Sequence, residues 1–208
     1  MSHFSRRFSH DDARILEQEV VYQGFFRMDR MRLQHRLFAG GWSPPFTREV
    51  FERGDAVAVL PWDPVRDELI LVEQFRVGAV RQQDSPWMLE LVAGMVADGE
   101  SDEAVVHREA LEEAGCRMDR LLPIASFYPS AGACSEQIRM FVGRVVSAGV
   151  GEVHGLDGEH EDLLVHGIPR QQALAMLDAN EINNGHTLIA LQWLARHGEA
   201  VRGQWLQD

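Results

Sequence analysis

Gly94-Met-Val-Ala-Asp-Gly-Glu100-Ser-Asp-Glu-Ala-Val-Val-His-Arg108-Glu109-Ala110-Leu111-Glu112-Glu113-Ala114-Gly115-Cys116 is the stretch on which the reading of this chain turns. Ser101 is suited to cap a helix, and Asp102 and Glu103 complement the positive end of the helix dipole. Gly115 stands where a helix C-terminus favours a left-handed residue. The segment therefore predicts a helix over 101–114, about four turns long. On it Glu109 and Glu113 share a face, Glu112 lies beside them, and Arg108 is one turn before Glu112. Three carboxylates on neighbouring turns repel one another unless water, an arginine or a cation offsets them. Hard divalent ions such as Mg²⁺ are held by a few carboxylates together with substrate phosphates. A bare Glu-Glu pair is more often a solvated helix face; the glycines and the spacing set this one apart.

Outward from this segment, strands dominate. Ala56-Val57-Ala58-Val59-Leu60 and Leu69-Ile70-Leu71-Val72 are apolar runs joined by a turn-rich stretch, and predict a hairpin with the first strand ending at Pro61. Further strands are expected over 48–53, 121–127, 137–146 and 163–168, and helices over 170–178 and 187–196. Residues 1–46 concentrate arginines among aromatics, and Val20-Val21-Tyr22 and Phe25-Phe26 around Gly24 predict short antiparallel strands. Strands in runs with few helices favour an α+β fold.

The chain has 208 residues and a formal net charge of −12; the length suits one domain of ordinary size, or one with a small appendage, and the charge disfavours wholesale binding of nucleic-acid backbones. There is no run of eighteen apolar residues to span a membrane. The start, with Arg6 and Arg7 but no apolar stretch behind them, does not read as a secretory signal. Two cysteines, Cys116 and Cys134, make no disulfide framework, so a cytoplasmic location is expected. Neither a phosphate-binding Gly-x-x-x-x-Gly-Lys-Ser/Thr loop nor a dinucleotide fingerprint occurs; Gly149-Val-Gly151-Glu-Val-His-Gly155 has one residue too many for the latter.

The segment 94–116 resembles the Nudix box, G-x5-E-x7-R-E-U-x-E-E-x-G-U with U apolar. Gly94, Glu100, Arg108, Glu109, Glu112, Glu113 and Gly115 fill its fixed places, and Ala110 and Cys116 the U places. Seven identities at about 7% usage each arise by chance on the order of 10⁻⁸ per start position. The surroundings resemble the ADP-ribose pyrophosphatase branch over nearly the whole chain. The likeness runs through Tyr22 to Phe26, Arg48 to Gly54, Val72 to Arg76, Pro86-Trp87, Glu90 to Gly94, Gly155 to Asp162 and Ile189 to Leu194.

The resemblance implies a Nudix fold, a mixed sheet sandwiched by helices, with a β region over 1–52 and a catalytic domain over 53–208. It implies Mg²⁺-dependent hydrolysis of ADP-ribose to AMP and ribose 5-phosphate, with Mn²⁺ as a substitute ion. The alternatives are another nucleoside diphosphate sugar such as GDP-mannose, or a non-catalytic nucleotide-binding module. Metal ligands would be Glu109, Glu113, Glu161 and the carbonyl of Ala93. Glu159 would be the general base, Arg108 would orient the glutamates, Glu112 would assist, and Glu100 would brace the loop. Substrate contacts carry over to Phe25, Phe26, Arg48, Glu49, Arg53, Arg76, Met95, Ser130, Gly132 and Glu136. Arginines suit a diphosphate and aromatics suit adenine. The branch implies a homodimer with exchanged amino-terminal strands, and no nucleic-acid or membrane partner. One departure is Ala131, where ADP-ribose enzymes usually carry a proline; Pro129 stands two residues early.

Overall fold

The computed structural model describes residues 5–81, 85–148, 150–156, 158 and 160–207. They divide into two units, one of residues 1–54 and 128–136, the other of 55–127 and 137–208.

The first unit is a three-stranded antiparallel sheet of β1 (Ala13–Gln23), β2 (Arg27–His35) and β3 (Phe46–Glu52), in that order. The strands are longer than the sequence suggests, because β1 and β2 carry charged cross-strand partners rather than apolar alternation. Arg30 meets Glu19 at 3.0 Å and Arg32 meets Glu17 at 2.9 Å. Every residue of β1 is exposed, Ile15, Val20 and Tyr22 each by more than half. The segment 128–136 is tied to this sheet through Phe51, whose N–H donates to the carbonyl of Ala133 at 2.7 Å.

The second unit is an α+β layer structure built on an eight-stranded mixed sheet. It comprises β4 (Ala56–Asp63), β5 (Glu68–Phe75), β6 (Trp87–Glu90), β7 (Val92–Met95), β8 (Arg117–Phe127), β9 (Ile138–Ser147), β10 (Val153–His154) and β11 (Leu163–Pro169). The order is β10-β11-β5-β4-β9-β8, with β6 paired to β5 and β7 to β4. Among the described strands of this sheet, β4 and β9 run parallel and the other pairs antiparallel.

Alternation along the strands divides the core in two. Val57, Val59, Ile70 and Val72 meet helix α1 (Asp102–Ala114) through Val105, Val106, Ala110 and Ala114. Leu60, Trp62, Leu69 and Leu71 meet α2 (Arg170–Asp178) and α3 (Gly185–Trp205) through Ala173, Leu191, Leu194 and Trp205. The sheet is thus sandwiched by helices, as expected. Ala110, small for its place in the box, is fully buried against the strands.

Three differences from the sequence reading have physical reasons. β4 does not stop at Pro61: it pairs β7 over 56–59 and β5 only at Trp62 and Asp63. Pro61 falls in the gap, where no partner on that edge needs its missing N–H. The short strands β6 and β7 went unread because Val-Ala-Gly-Met has no alternation. Helix α3 begins at Gly185 and continues past Gly198 because it is anchored by burial of Leu194 and Trp205, which outweighs the cost of an interior glycine.

Candidate active site

Helix α1 begins as the sequence indicates. Ser101 Oγ accepts from the Ala104 N–H at 3.3 Å, and Gly115 closes the helix at φ 57°. A clamp absent from the sequence reading fixes its first turn. Arg139 of β9 donates from Nε to Asp102 at 2.6 Å and from Nη1 to Asp55 at 2.8 Å. The Asp55 carbonyl in turn accepts from the Val96 N–H at 3.0 Å, which secures the loop after Gly94.

Gly94 earns its place sterically. A Cβ there would lie 2.0 Å from Glu109 Oε1, so the hollow over β7 that takes this carboxylate exists only because residue 94 has no side chain. Glu113 is buried and accepts from the Ala93 N–H at 3.1 Å. Arg108 Nη1 lies 2.8 Å from Glu109 and 3.2 Å from Glu112, and Nη2 lies 3.7 Å from Glu100. Glu100 also accepts from the Ala97 N–H at 3.2 Å and so closes its own loop.

Electrostatics set these carboxylates apart. Burial, with added repulsion from Glu109 and Glu161, pushes Glu113 up to about 8, against the Ala93 N–H and the cation of Arg76. Burial also raises Glu109 to about 6; Glu112 and Glu161 add to it, and Arg108 opposes it. Glu161 is therefore close enough to disfavour charge on both Glu109 and Glu113, and Glu109 to disfavour it on Glu113. Among the described residues, no three His, Cys, Asp or Glu side chains already stand as a ligand cluster. Each of the three is bonded elsewhere: Glu109 to Arg108, Glu113 to Ala93, and Glu161 to the Leu156 N–H at 3.3 Å. Oxygen donors, mutual repulsion and the hollow at Gly94 suit a hard divalent cation.

Arg76 follows β5 and donates from Nε to Glu90 Oε2 at 2.8 Å, and its Nη2 lies 2.8 Å from the same oxygen. Met95, at the end of β7, is partly exposed. Glu159 lies outside the described residues. Its neighbour Glu161 packs on Gly155, which sits at φ 112° and where a Cβ would lie only 2.7 Å from the Glu161 Cβ, so no side chain fits.

The remaining candidates sit in the first unit. Arg53 stacks over Phe26 at 5.3 Å and reaches Glu136 at 3.4 Å. Phe25, 85% exposed, meets Phe26 edge-on. Arg48 lies over Phe46, and Glu49 lies 3.5 Å from Arg30. Ser130 accepts from the Ala133 and Cys134 N–H groups through its carbonyl, and exposed Gly132 lies within that turn. The structure thus brings together Arg53, Phe26 and Glu136 in one unit, and the acidic set with Arg76 in the other.

Asn184 and Arg139 were not singled out from sequence, and Glu90 and Gly155 entered only as part of the family likeness, with no role assigned. For Glu90 a signal was present: a carboxylate inside Met-Leu-Glu-Leu-Val is buried, and buried charge requires partners.

Comparison with known proteins gives a consistent result. The NUDIX domain pattern matches residues 52–188. The chain is 45% identical over 198 residues to the ADP-ribose pyrophosphatase of Escherichia coli K12, covering 95% of each. It is 42% identical to that of Haemophilus influenzae, covering 96% of this chain and 94% of the relative. A GDP-mannose pyrophosphatase of Citrobacter koseri is 32% identical over 148 residues, covering 71% of this chain and 76% of the relative. The crystal structure of an ADP compounds hydrolase superposes with a TM-score of 0.66 at 22% identity, over 92% of this chain and 98% of that one. This last likeness speaks to the fold alone.

Proposed function

This chain belongs to the NUDIX family, whose hydrolases generally use divalent metal ions, and we propose that it hydrolyses ADP-ribose to AMP and ribose 5-phosphate with Mg²⁺. The observation that carries the substrate is the 45% identity to ADP-ribose pyrophosphatases over 95% of both chains, amino-terminal sheet included. Similarity to GDP-mannose pyrophosphatases is lower and spans less of the chain.

On this reading Glu109, Glu113, Glu161 and the Ala93 carbonyl hold Mg²⁺, with Mn²⁺ as a substitute. When bound, the ion neutralises phosphoryl oxygens and makes a water easier to deprotonate. Water adds to one phosphorus, and the P–O–P bridge opens. Glu159 takes the water's proton. Arg108 holds Glu109 and Glu112 in register on α1, and Glu100 keeps the preceding loop closed. Arg76 grips the diphosphate, and Met95 borders the sugar path. Chemistry of this kind is largely positioning and charge stabilisation.

Phe25, Phe26, Arg48, Glu49, Arg53, Ser130, Gly132 and Glu136 bind the substrate's adenosine and ribose ends. We assign these contacts to a homodimer in which the amino-terminal sheets are exchanged. The exposed Ile15, Leu16, Val20, Val21 and Tyr22 of β1 support it, since this many exposed apolar side chains, between the charged pairs, call for a covering surface. No helix among the described residues is long and apolar enough to cross a membrane.

The test is a panel of nucleoside diphosphate sugars assayed with Mg²⁺ and with Mn²⁺. The reading expects ADP-ribose to turn over fastest and to yield AMP. Faster turnover of GDP-mannose, or tight ADP-ribose binding with no AMP released at any Mg²⁺ concentration, overturns it.

A further inference from the structure

Glu90 is the most completely partnered carboxylate near the site, and nothing in the proposed chemistry uses it. It is 4% exposed. Its Oε2 accepts from Arg76 Nε at 2.8 Å and from Gln74 Nε2 at 3.3 Å, and lies 2.8 Å from Arg76 Nη2 in an ion pair. Its Oε1 accepts from Asn184 Nδ2 at 2.8 Å. Asn184 is also the cap of α3, its Oδ1 accepting from the Thr187 N–H at 3.1 Å. One asparagine therefore joins the start of α3, through Glu90, to the guanidinium of Arg76. The Glu90 carboxylate engages Nε by a hydrogen bond and Nη2 by an ion pair, and leaves Nη1 outside the pair, on a side chain that is 45% exposed.

A long, half-exposed arginine loses rotamer freedom when it grips an anion. A buried carboxylate that holds two of its nitrogens removes that cost beforehand and presents the remaining edge in a fixed direction. The carboxylate needs fixing in turn, and Gln74 and Asn184 do so from β5 and α3. Thr187, fully buried, keeps the first turn of α3 in place.

We propose that Glu90 and Asn184 are positioning residues that hold Arg76 ready for the diphosphate of the substrate, so that the grip on the diphosphate is set from the amino-terminal end of α3. This rests on the reading above, that Arg76 meets a diphosphate. Preorganisation of this kind strengthens binding in ground and transition states alike, so its loss raises KM with little change in kcat.

The test is steady-state kinetics on the full chain with Mg²⁺. E90Q replaces an acceptor by a donor facing Arg76, and is expected to raise KM about 10-fold with kcat within about 2-fold. N184S keeps a good helix cap but removes the donor to Glu90; it is expected to raise KM about 3-fold with kcat within about 2-fold. The decisive variant is the pair: R76A/E90Q is expected to match R76A alone within about 2-fold, because Glu90 acts through Arg76. Additive losses in the pair, or a fall in kcat at constant KM in E90Q, would mean a purely structural Glu90 and would overturn the inference. A wild-type enzyme that leaves ADP-ribose intact would instead overturn the substrate reading. The Ki of ADP as competitor against whichever substrate the panel identifies then carries the same comparison, and an unchanged Ki in E90Q counts against the inference.

Discussion

Two clusters of charge in the second unit are built from the same residue types and behave oppositely. At the α1 cluster, burial raises Glu109 to about 6 and Glu113 to about 8, with Glu161 adding to both and Glu109 adding to Glu113. At the Asp67 cluster, burial would likewise raise the carboxyl, but Arg170, Trp62 and Arg202 outweigh it and hold Asp67 below the usual carboxylate range. Arg170 makes a fork to Asp67 at 2.8 and 3.0 Å, and Trp62 Nε1 donates to it at 3.1 Å. This second cluster ties the β4–β5 turn to α2 and α3. The first has more carboxylates than cations to balance them. A fold that balances its charges at Asp67 leaves an excess of negative charge around Glu113, and on the function proposed above that excess is what a divalent cation offsets.

The comparison is broken most severely by E113Q. This variant is expected to lose at least about 10³-fold in kcat, as removal of a metal ligand does. It is also expected to be more stable without metal. A carboxyl whose folded value lies above its unfolded value of 4.5 holds its proton longer when folded, so metal-free stability declines as pH rises from about 4.5 to about 8. Glutamine escapes that decline, and at pH 7 urea unfolding in EDTA should show a gain of about 2 kcal/mol. A variant as active as the wild type, or one less stable in EDTA, contradicts the contrast.

G94A comes next. Its Cβ collides with the Glu109 carboxylate, and turnover is expected to fall about 10²-fold while the fold persists. Far-ultraviolet circular dichroism with steady-state assay checks both.

D67N sharpens the opposite pole. Asp67 sits at φ 57°, which asparagine tolerates, so the substitution removes the charge without straining the turn. Stability is expected to drop by about 2 kcal/mol at pH 7, with kcat and KM unchanged. Because Asp67 is lowered in the fold, its contribution is present above about pH 4 and fades as pH falls through its folded value. The wild-type advantage over D67N should therefore shrink below pH 4, as acid-dependent unfolding curves would show.

What was legible in the sequence follows the same division. The box on α1 was readable because capping, helical spacing and the two glycines act within a few residues of one another. Strands β5 and β11 announced themselves by apolar runs, and both core layers follow from their alternation. What was not legible depends on partners far apart in the chain. Arg139 reaches Asp102 and Asp55 across 37 and 84 positions, and Glu90 reaches Asn184 across 94. Pro61 looked like a strand end because its missing N–H is harmless only where β4 changes partners, a fact of the sheet rather than of the sequence. The length of β1 was hidden for another reason: its residues are exposed, and burial is what writes a pattern into a strand.

The most direct measurement is Mg²⁺ titration by calorimetry at pH 7 in two buffers of different ionisation enthalpy, for wild type, D67N and E113Q. If the carboxylates of α1 hold the ion, binding must expel the proton that Glu113 retains, so wild type and D67N should release protons and bind alike. E113Q should bind weakly and release none. Equal affinity in E113Q and wild type, or binding with no buffer dependence in the wild type, would contradict the account.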